Sequence, residues 1–380
     1  MKRLSVFILL SAVLCSLLLS GCANVSRLEE QAIISAIGID KGKDARFLVT
    51  VSVFQSMGAG SANPIDPSKS NTVNAHAEAD SINDAMNELR LILGRQVNTG
   101  HTKYIILGSD ILDSSLDDAL RYFIANEQTY LGTPILTTDK KASDVLKVQL
   151  LNDVETAVAV ESILDTAIQN GSAVKSDLLM AANALSDSES LALPIITVKE
   201  PPKQESSSSQ QEQEAGSEAS EEPRILFEGT VVSNMKGEHF RLDKEQTLAL
   251  SFLTGSLDTY EFSIQTDDVK YSVQANFPGH TQSLDVKNGE FVLTFSIECM
   301  VRILESSELS PDYELVIDKT RKRIEKICDS TFSRLQNYSY GDILRVRKQA
   351  LSRFPFLKTD YDNIFTRCRV VVNVNVHSDR

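Results

Sequence analysis

Two stretches near the end of the chain alternate so regularly that they leave little choice of local architecture. In "FVLTFSIECMVRI", residues 291–303, the odd positions are Phe291, Leu293, Phe295, Ile297, Cys299, Val301 and Ile303, while the even ones include Thr294, Ser296, Glu298 and Arg302. "CRVVVNVNVH" does the same, setting Cys368, Val370, Val372, Val374 and Val376 against Arg369, Asn373, Asn375 and His377. Side chains of a strand point alternately to opposite faces, so each run predicts one dry face and one wet face. A dry face needs a cover. The segment between them places Leu315, Ile317, Ile324, Ile327, Cys328, Phe332 and Leu335 along a helical stripe, with Ser310 and Pro311 signalling its start. The expectation is a twisted, largely antiparallel sheet on which this long helix and the shorter helix of "GDILRVRKQALSRF" pack.

The first half mixes two periods. "AIISAIGID" (32–40) and "RFLVTVSVF" (46–54) read as strands of a hairpin turned by Lys-Gly-Lys-Asp. After a Gly, Pro and Ser-rich loop, "SINDAMNELRLILGR" spaces Ile82, Met86, Leu89, Leu91 and Leu93 as a helix that Asp80 or Ser81 can cap. A strand at 103–108, a helix over 112–126, a strand at 133–138 and a helix opened by Ser143-Asp144 follow, then two more helical patterns and a closing strand, "ALPIITV". Strands alternate with helices but also pair locally, which predicts α+β for the whole chain, with one or two subdomains in this mixed region.

One composition break divides the sequence. "KEPPKQESSSSQQEQEAGSEASEEPR", residues 199–224, holds almost no apolar side chains and cannot offset its chain entropy by burial, so it reads as a disordered acidic linker. The predicted organisation is 1–21 a signal peptide, 22–198 an N-terminal region, 199–224 the linker and 225–380 a C-terminal domain.

Motifs that carry chemistry are missing. There is no Gly-rich phosphate loop, HExxH or GxSxG, and the histidines, His76, His101, His239, His280 and His377, lie far apart. The formal charge of −14 argues against a nucleic-acid partner. "DKGKD" (40–44) lacks the alternating acidic ligands of a calcium loop and reads as a turn. Cys299, Cys328 and Cys368 have neither zinc spacing nor disulfide density, and read as small core residues. The basic cluster Lys319, Arg321, Lys322, Arg323 and Lys326 is either a solvated helix face or a patch facing anionic headgroups. The expectation is a protein with no metal, no cofactor and no enzymatic activity.

The opening segment sets the anchorage. Met1-Lys2-Arg3 and "LSVFILLSAVLCSLLLS" form a secretory signal, and its ending, Leu19-Ser20-Gly21-Cys22, resembles the bacterial lipobox. Leu19, Ser20 and Gly21 are then the processing signal, and Cys22 the residue that receives a diacylglyceryl group. Two or more acyl chains make a stable anchor where one is marginal. No second apolar run is long enough to span a bilayer, so the sequence predicts a soluble body held at the outer face of a bacterial membrane.

Beyond this cysteine, "RLEEQAIISAIGID" resembles the start of the Ger(x)C family, the C-subunit lipoproteins of spore germinant receptors. Three further stretches are similar to the family in the same order: "GHTKYIILGSDIL" (100–112), "ALRYFIANEQTYLGTPILTTDKKASDVL" (119–146) and "GDILRVRKQALSRFPFLKTDYDNIFTRCRVVVNVNV" near the end. The sequence departs from the family where a Trp-Asp pair would follow the lipidated cysteine, here Ala23-Asn24, and where Tyr361 stands in place of a Trp; the chain has no tryptophan. The resemblance implies a non-enzymatic subunit on the outer face of the spore inner membrane, partnered by integral-membrane A and B subunits that respond to small nutrients. Direct binding of a small molecule by this chain stays open. The resemblance directs attention to Asp40, Gly100, His101, Lys103 and Arg121. Asp40 and Gly100 can instead serve turn geometry, and His101 and Arg121 can be buried hydrogen-bond partners or contacts to a subunit. The competing expectation is a solute-binding lipoprotein of an importer, which would show two α/β lobes joined by a hinge.

Overall fold

The computed structural model describes residues 30–54, 72–113, 116–148, 156–187, 189–199, 223–266, 269–308, 310–357 and 360–379. The signal segment, the lipobox and Cys22 lie outside these residues.

The hairpin forms as expected. β1 (Gln31–Lys41) and β2 (Phe47–Phe54) are antiparallel, and β3 (Thr72–Ala79) adds to β2. Helix α1 (Ile82–Leu93) is capped by Ser81, whose side chain accepts from the Asp84 amide, and ends on Gly94 with φ 62°, the left-handed conformation that glycine adopts freely. Short β4 (Gln96–Asn98) lies parallel to the first residues of β1. Then β5 (Tyr104–Gly108) enters beside β1 and parallel to it. The helix expected over 112–126 is two helices, α2 (Ser109–Leu112) and α3 (Leu116–Ala125). β6 (Ile135–Thr138), α4 (Ala142–Leu146), α5 (Thr156–Gln169), α6 (Leu178–Asp187) and β7 (Ser190–Lys199) complete the first half.

The large sheet does not stop there. β8 (Arg224–Asn234) pairs antiparallel with β7, Lys199 opposite Arg224, and β9 (His239–Leu242) adds to β8. The order is β3-β2-β1-β5-β6-β7-β8-β9, with β4 beside β1. So the region after the Ser/Glu/Gln segment gives its first two strands to the sheet of the region before it. One face of this sheet packs against α1, α2, α3 and α6 through Ile82, Leu89, Ile111, Phe123 and Leu178. The other meets α4 and α5 through Ala142, Val145, Val160 and Leu164. Strands covered on both faces are buried at successive positions, as in Ser35–Asp40, rather than alternating.

The second sheet follows α7 (Lys244–Thr254) and has the order β10 (Thr259–Gln265), β11 (Lys270–Lys287), β12 (Glu290–Ser306), β13 (Arg369–Ser378). Its first three strands are antiparallel, and β13 runs parallel to β12. The dry face is the one expected: Leu293, Phe295, Ile297, Cys299 and Val301 are buried against α8 (Tyr313–Gln336). Within α8, Val316, Thr320, Ile324, Cys328, Phe332 and Leu335 face inward, while Leu315 and Ile317 are only half-buried. The helix begins one residue past the expected signal, where Asp312 accepts from the Leu315 amide. The shorter helix, α9 (Val346–Arg353), is followed by a single 3-10 turn and α10 (Ile364–Arg367). Helices and strands of both kinds make the fold α+β.

Helix α7 joins the two sheets. Residues Thr247 to Leu253 are all buried, Thr247 Oγ1 donates to Thr230 Oγ1 of β8 at 3.0 Å, and Cys328 of α8 lies against the Ala249 carbonyl. A capping box, Asp243 with Gln246, opens the helix and Gly255 at φ 66° ends it. A Cβ on Gly255 would stand 2.5 Å from His280 Nδ1, so the imidazole lies directly over this glycine. Cys299, Cys328 and Cys368 are buried free thiols; burial pushes Cys299 and Cys368 up to about 12 and raises Cys328 further.

Two outcomes follow from this architecture. Because Lys199 and Arg224 are already paired, replacing residues 200–223 by a short Asn-Gly turn should leave the fold intact and raise unfolding free energy by about 1–2 kcal/mol, since a shorter loop loses less entropy on closing. Denaturant titration reads this, and unfolding of the shortened chain would contradict the pairing. Burial also lowers the His280 pKa. The folded protein then resists protonating His280 where the unfolded chain accepts the proton, so this group's contribution is present above the unfolded value, about 6.5, and lost as pH falls through the folded one. The stability difference between wild type and His280→Gln should narrow on going from about pH 7.5 to about pH 5.

Candidate functional site

The residues to which the sequence directs attention fall at opposite ends of the large sheet. Asp40 ends β1, and it is buried. Its Oδ1 accepts from the Ala142 amide at 2.7 Å and its Oδ2 from the Ser143 amide at 2.9 Å. One carboxylate thus takes up two of the unpaired amides that open α4, where the helix dipole also favours negative charge. The glycines around it admit this contact. At Gly38 a Cβ would press on Leu146 and Ala142 at 3.0 and 3.1 Å, and at Gly108 it would stand 2.3 Å from Asp40 Oδ1. The "GID" stretch is therefore a docking device for α4: glycine allows approach and aspartate caps. Ser143-Asp144, expected to open this helix, lies in its first turn, and Asp40 from a distant strand does the capping.

His101, Lys103 and their neighbours sit where β1 and β5 begin. His101 is exposed. Lys103 pairs with Glu161 of α5 at 3.0 Å, and its backbone amide donates to the Ser35 carbonyl at 2.8 Å. Gly100 takes part in a local turn in which its amide donates to Asn98 Oδ1 at 2.9 Å. Arg121, on α3, is exposed and pairs with Asp117 one turn earlier in the same helix, a contact that raises its pKa. Neither His101 nor Arg121 is a buried hydrogen-bond partner, and the structure does not gather Asp40, His101, Lys103 and Arg121 into one site.

The same end of the sheet carries a feature that the sequence analysis did not single out. Leu91 and Ile92 of α1 are 78% and 57% exposed, Tyr130 is 72% exposed, and Leu131 and Leu179 are exposed beside it. The turn bearing Tyr130 is tied to the loop after β4 by a hydrogen bond between the Thr99 and Thr129 hydroxyls at 2.9 Å, and to α6 by the Leu179 amide on the Leu131 carbonyl at 2.8 Å. In the sequence these side chains look like ordinary helix and loop apolars; Leu91 even fits the core stripe of α1.

A second candidate is the seam between the sheets. Arg345, at the start of α9, pairs with Glu189 at 3.3 Å, Lys348 with Asp187, and Ser190 Oγ donates to the Tyr340 carbonyl. Lys348 holds the Asp187 carboxyl below its usual value. Next to these contacts is a cleft of about 200 Å³ whose lining includes Val174, Met180, Leu191, Leu250 and Arg345. Asp342 accepts from the Val346 and Arg347 amides, both at 2.8 Å, and burial raises its pKa in spite of them. The basic cluster on α8 is largely engaged: Arg321 and Lys322 pair with Asp318, and Arg323 lies over the Phe262 ring at 5.2 Å. Among the described residues no group of His, Cys, Asp and Glu could hold a metal ion, and no helix is long and apolar enough to cross a membrane.

Family comparison fits this two-sheet arrangement. Residues 24–198 match the family described as spore germination protein N-terminal domain, and residues 230–380 match the one described as spore germination B3/GerAC like, C-terminal. The chain belongs to this spore germination family. Spore germination protein KC of Bacillus subtilis (strain 168) is 27% identical over 203 residues, which cover 48% of this chain and 46% of that protein. YfkR of the same organism, which carries a provisional spore-germination name, is 28% identical over 149 residues, 38% of each chain. The aligned regions thus span less than half of either relative. The crystal structure of the GerBC protein superposes with a TM-score of 0.55 over 94% of this chain and all of that one, at 14% identity, so the two share the fold.

The assignment of Asp40 can be measured. Asp40→Ala leaves two buried amides without an acceptor and should lower unfolding free energy by about 2–4 kcal/mol. Gly108→Ala displaces the same carboxylate, so the double variant should be clearly less destabilised than the sum of the two singles. Additive effects in such a cycle would contradict the contact.

Proposed function

We propose that this chain is the lipid-anchored, non-enzymatic C-type subunit of a nutrient germinant receptor, assembling with integral-membrane A and B subunits at the outer face of the spore inner membrane. The observation that carries the reading is the match of both halves of the chain to the spore germination family. The sequence supports the anchor through Leu19-Ser20-Gly21-Cys22, with Cys22 carrying the covalent diacylglyceryl group. Tethering converts a three-dimensional search for membrane partners into a two-dimensional one and raises their effective concentration. The chain then acts by contact. It holds or couples the membrane subunits, and the main germinant pocket lies in them.

Family membership speaks against the importer alternative. The continuous sheet running from β3 to β9 is also unlike two lobes on a hinge.

The test is recovery of partners. Tagged protein drawn from detergent-solubilised spore inner membrane should bring A- and B-type membrane subunits, identified by mass spectrometry. Cys22→Ala should lose most of them. Absence of the protein from spores, or recovery of importer components instead, would refute the reading.

A further inference from the structure

We infer that the end of the large sheet where β1 begins rests on the lipid bilayer itself, through Leu91, Ile92, Tyr130, Leu131 and Leu179. The inference rests on the lipid-anchor reading and adds an orientation and a contact surface to it.

The argument starts from chain length. Between Cys22 and Glu30, the first described residue, there are eight peptide steps, which span at most about 28 Å when fully extended. The next residue, Gln31, is already fixed in the sheet, paired in register with Gln96. An anchor at Cys22 therefore holds this end of the sheet within a short distance of the headgroups. The opposite end, where Asp40 meets α4, is farther from the tether by the length of β1.

What this end presents suits an interface. Leu91 and Ile92 project from the last turn of α1, a few residues before β4, and Arg90 and Arg95 flank them. Among the described residues neither arginine has an ion-pair partner. Tyr130 is exposed yet fixed, because its ring folds back over Gly132, where a Cβ would stand 2.3 Å from it. Leu131 and Leu179 continue the patch, and the Thr99–Thr129 hydrogen bond ties its two parts together. Apolar side chains with an aromatic ring and arginines around them match the boundary between headgroups and acyl chains. Glu88 and Glu127 are also exposed here, so apolar contact rather than charge carries the attraction. A water-facing role does not account for this set. Single exposed apolar residues are ordinary, but these five all lie at the end of the sheet next to the tether.

The experiment uses the full-length lipidated protein in vesicles of phosphatidylethanolamine and phosphatidylglycerol, with no other protein present. Ile92→Cys, Tyr130→Cys and Lys140→Cys each receive a fluorescent label; Cys299, Cys328 and Cys368 are buried and do not compete. Labels at 92 and 130 should lose quenching by a water-soluble nickel chelate and gain quenching by a bilayer-embedded quencher. The label at 140, at the other end of the sheet, should stay water-accessible. Equal aqueous access at all three positions, in protein whose mass shows lipid on Cys22, overturns the bilayer contact and leaves the anchor standing. Protection of 92 and 130 only after receptor membrane subunits are added also overturns it, in favour of a protein contact. A mature protein without lipid on Cys22 refutes the anchor reading, and the inference falls with it.

Discussion

The fold turns on one interaction used twice: a carboxylate whose two oxygens accept the first amides of a helix, from a distant strand in one case and from the turn just before the helix in the other. Asp40 does this for α4 and Asp342 for α9. In each case a glycine beside the contact removes a steric obstacle. Gly108 leaves room for the Asp40 carboxylate, and Gly341 precedes Asp342 where a Cβ would stand 2.1 Å from the Leu335 carbonyl. Helix starts inside a protein leave amides that must find acceptors. Here the acceptor is a charged group, which makes a stronger bond than a neutral one and adds the favourable end of the helix dipole. Asp40 of the "AIGID" stretch and Asp342 of the "GDIL" stretch thus each have a structural role as a helix cap.

From these two points the cores are assembled in different ways. Asp40 fixes α4 on the back of the large sheet, so the neighbouring strands are covered on both faces. Asp342 fixes α9 at the seam, next to Arg345, whose φ of 57° is costly for a residue with a side chain, by about 1–2 kcal/mol. That strain is held by the Glu189 ion pair and by the packing of Val346 beneath it. Helix α7 supplies the rest of the connection. It is buried from Thr247 to Leu253, touching β8 on one side and α8 on the other, so the two sheets share one apolar core through it.

How much of this could be read from the sequence depends on whether the signal is local. Alternation in β12 and β13 predicted their dry faces correctly, because each strand is covered on one side only. The α8 stripe was legible for the same reason, although Leu315 and Ile317 looked more buried than they are and Val316 less. α7 went unrecognised despite the Asp243–Gln246 box and Gly255, since it is buried on all sides from Thr247 to Leu253, with Thr247 and Ser251 among the buried residues, and so shows no apolar stripe of period 3.6. The pairing of β7 with β8 was hidden by the polar segment between them: composition marks a break in the chain, and here the sheet continues across it. Asp40 was visible as a residue of interest, but its role was not, because its partners lie about a hundred positions away. His101 and Arg121 carry no local sign of exposure. Leu91 was misleading in the opposite direction, since it fits the expected core stripe of α1 yet is 78% exposed.

Several buried titratable groups are placed by the packing around them. Asp40 and Asp342 cap helices. His280 lies over Gly255, and burial lowers its pKa. The three thiols are held protonated by burial, with Cys299 and Cys368 pushed up to about 12. What the architecture leaves unexplained is at the surface: the Leu91, Ile92 and Tyr130 rim and the ion-paired seam around Arg345. The rim at the start of β1 and the seam around Arg345 are joined through α6 and β7, within one continuous sheet and its packing.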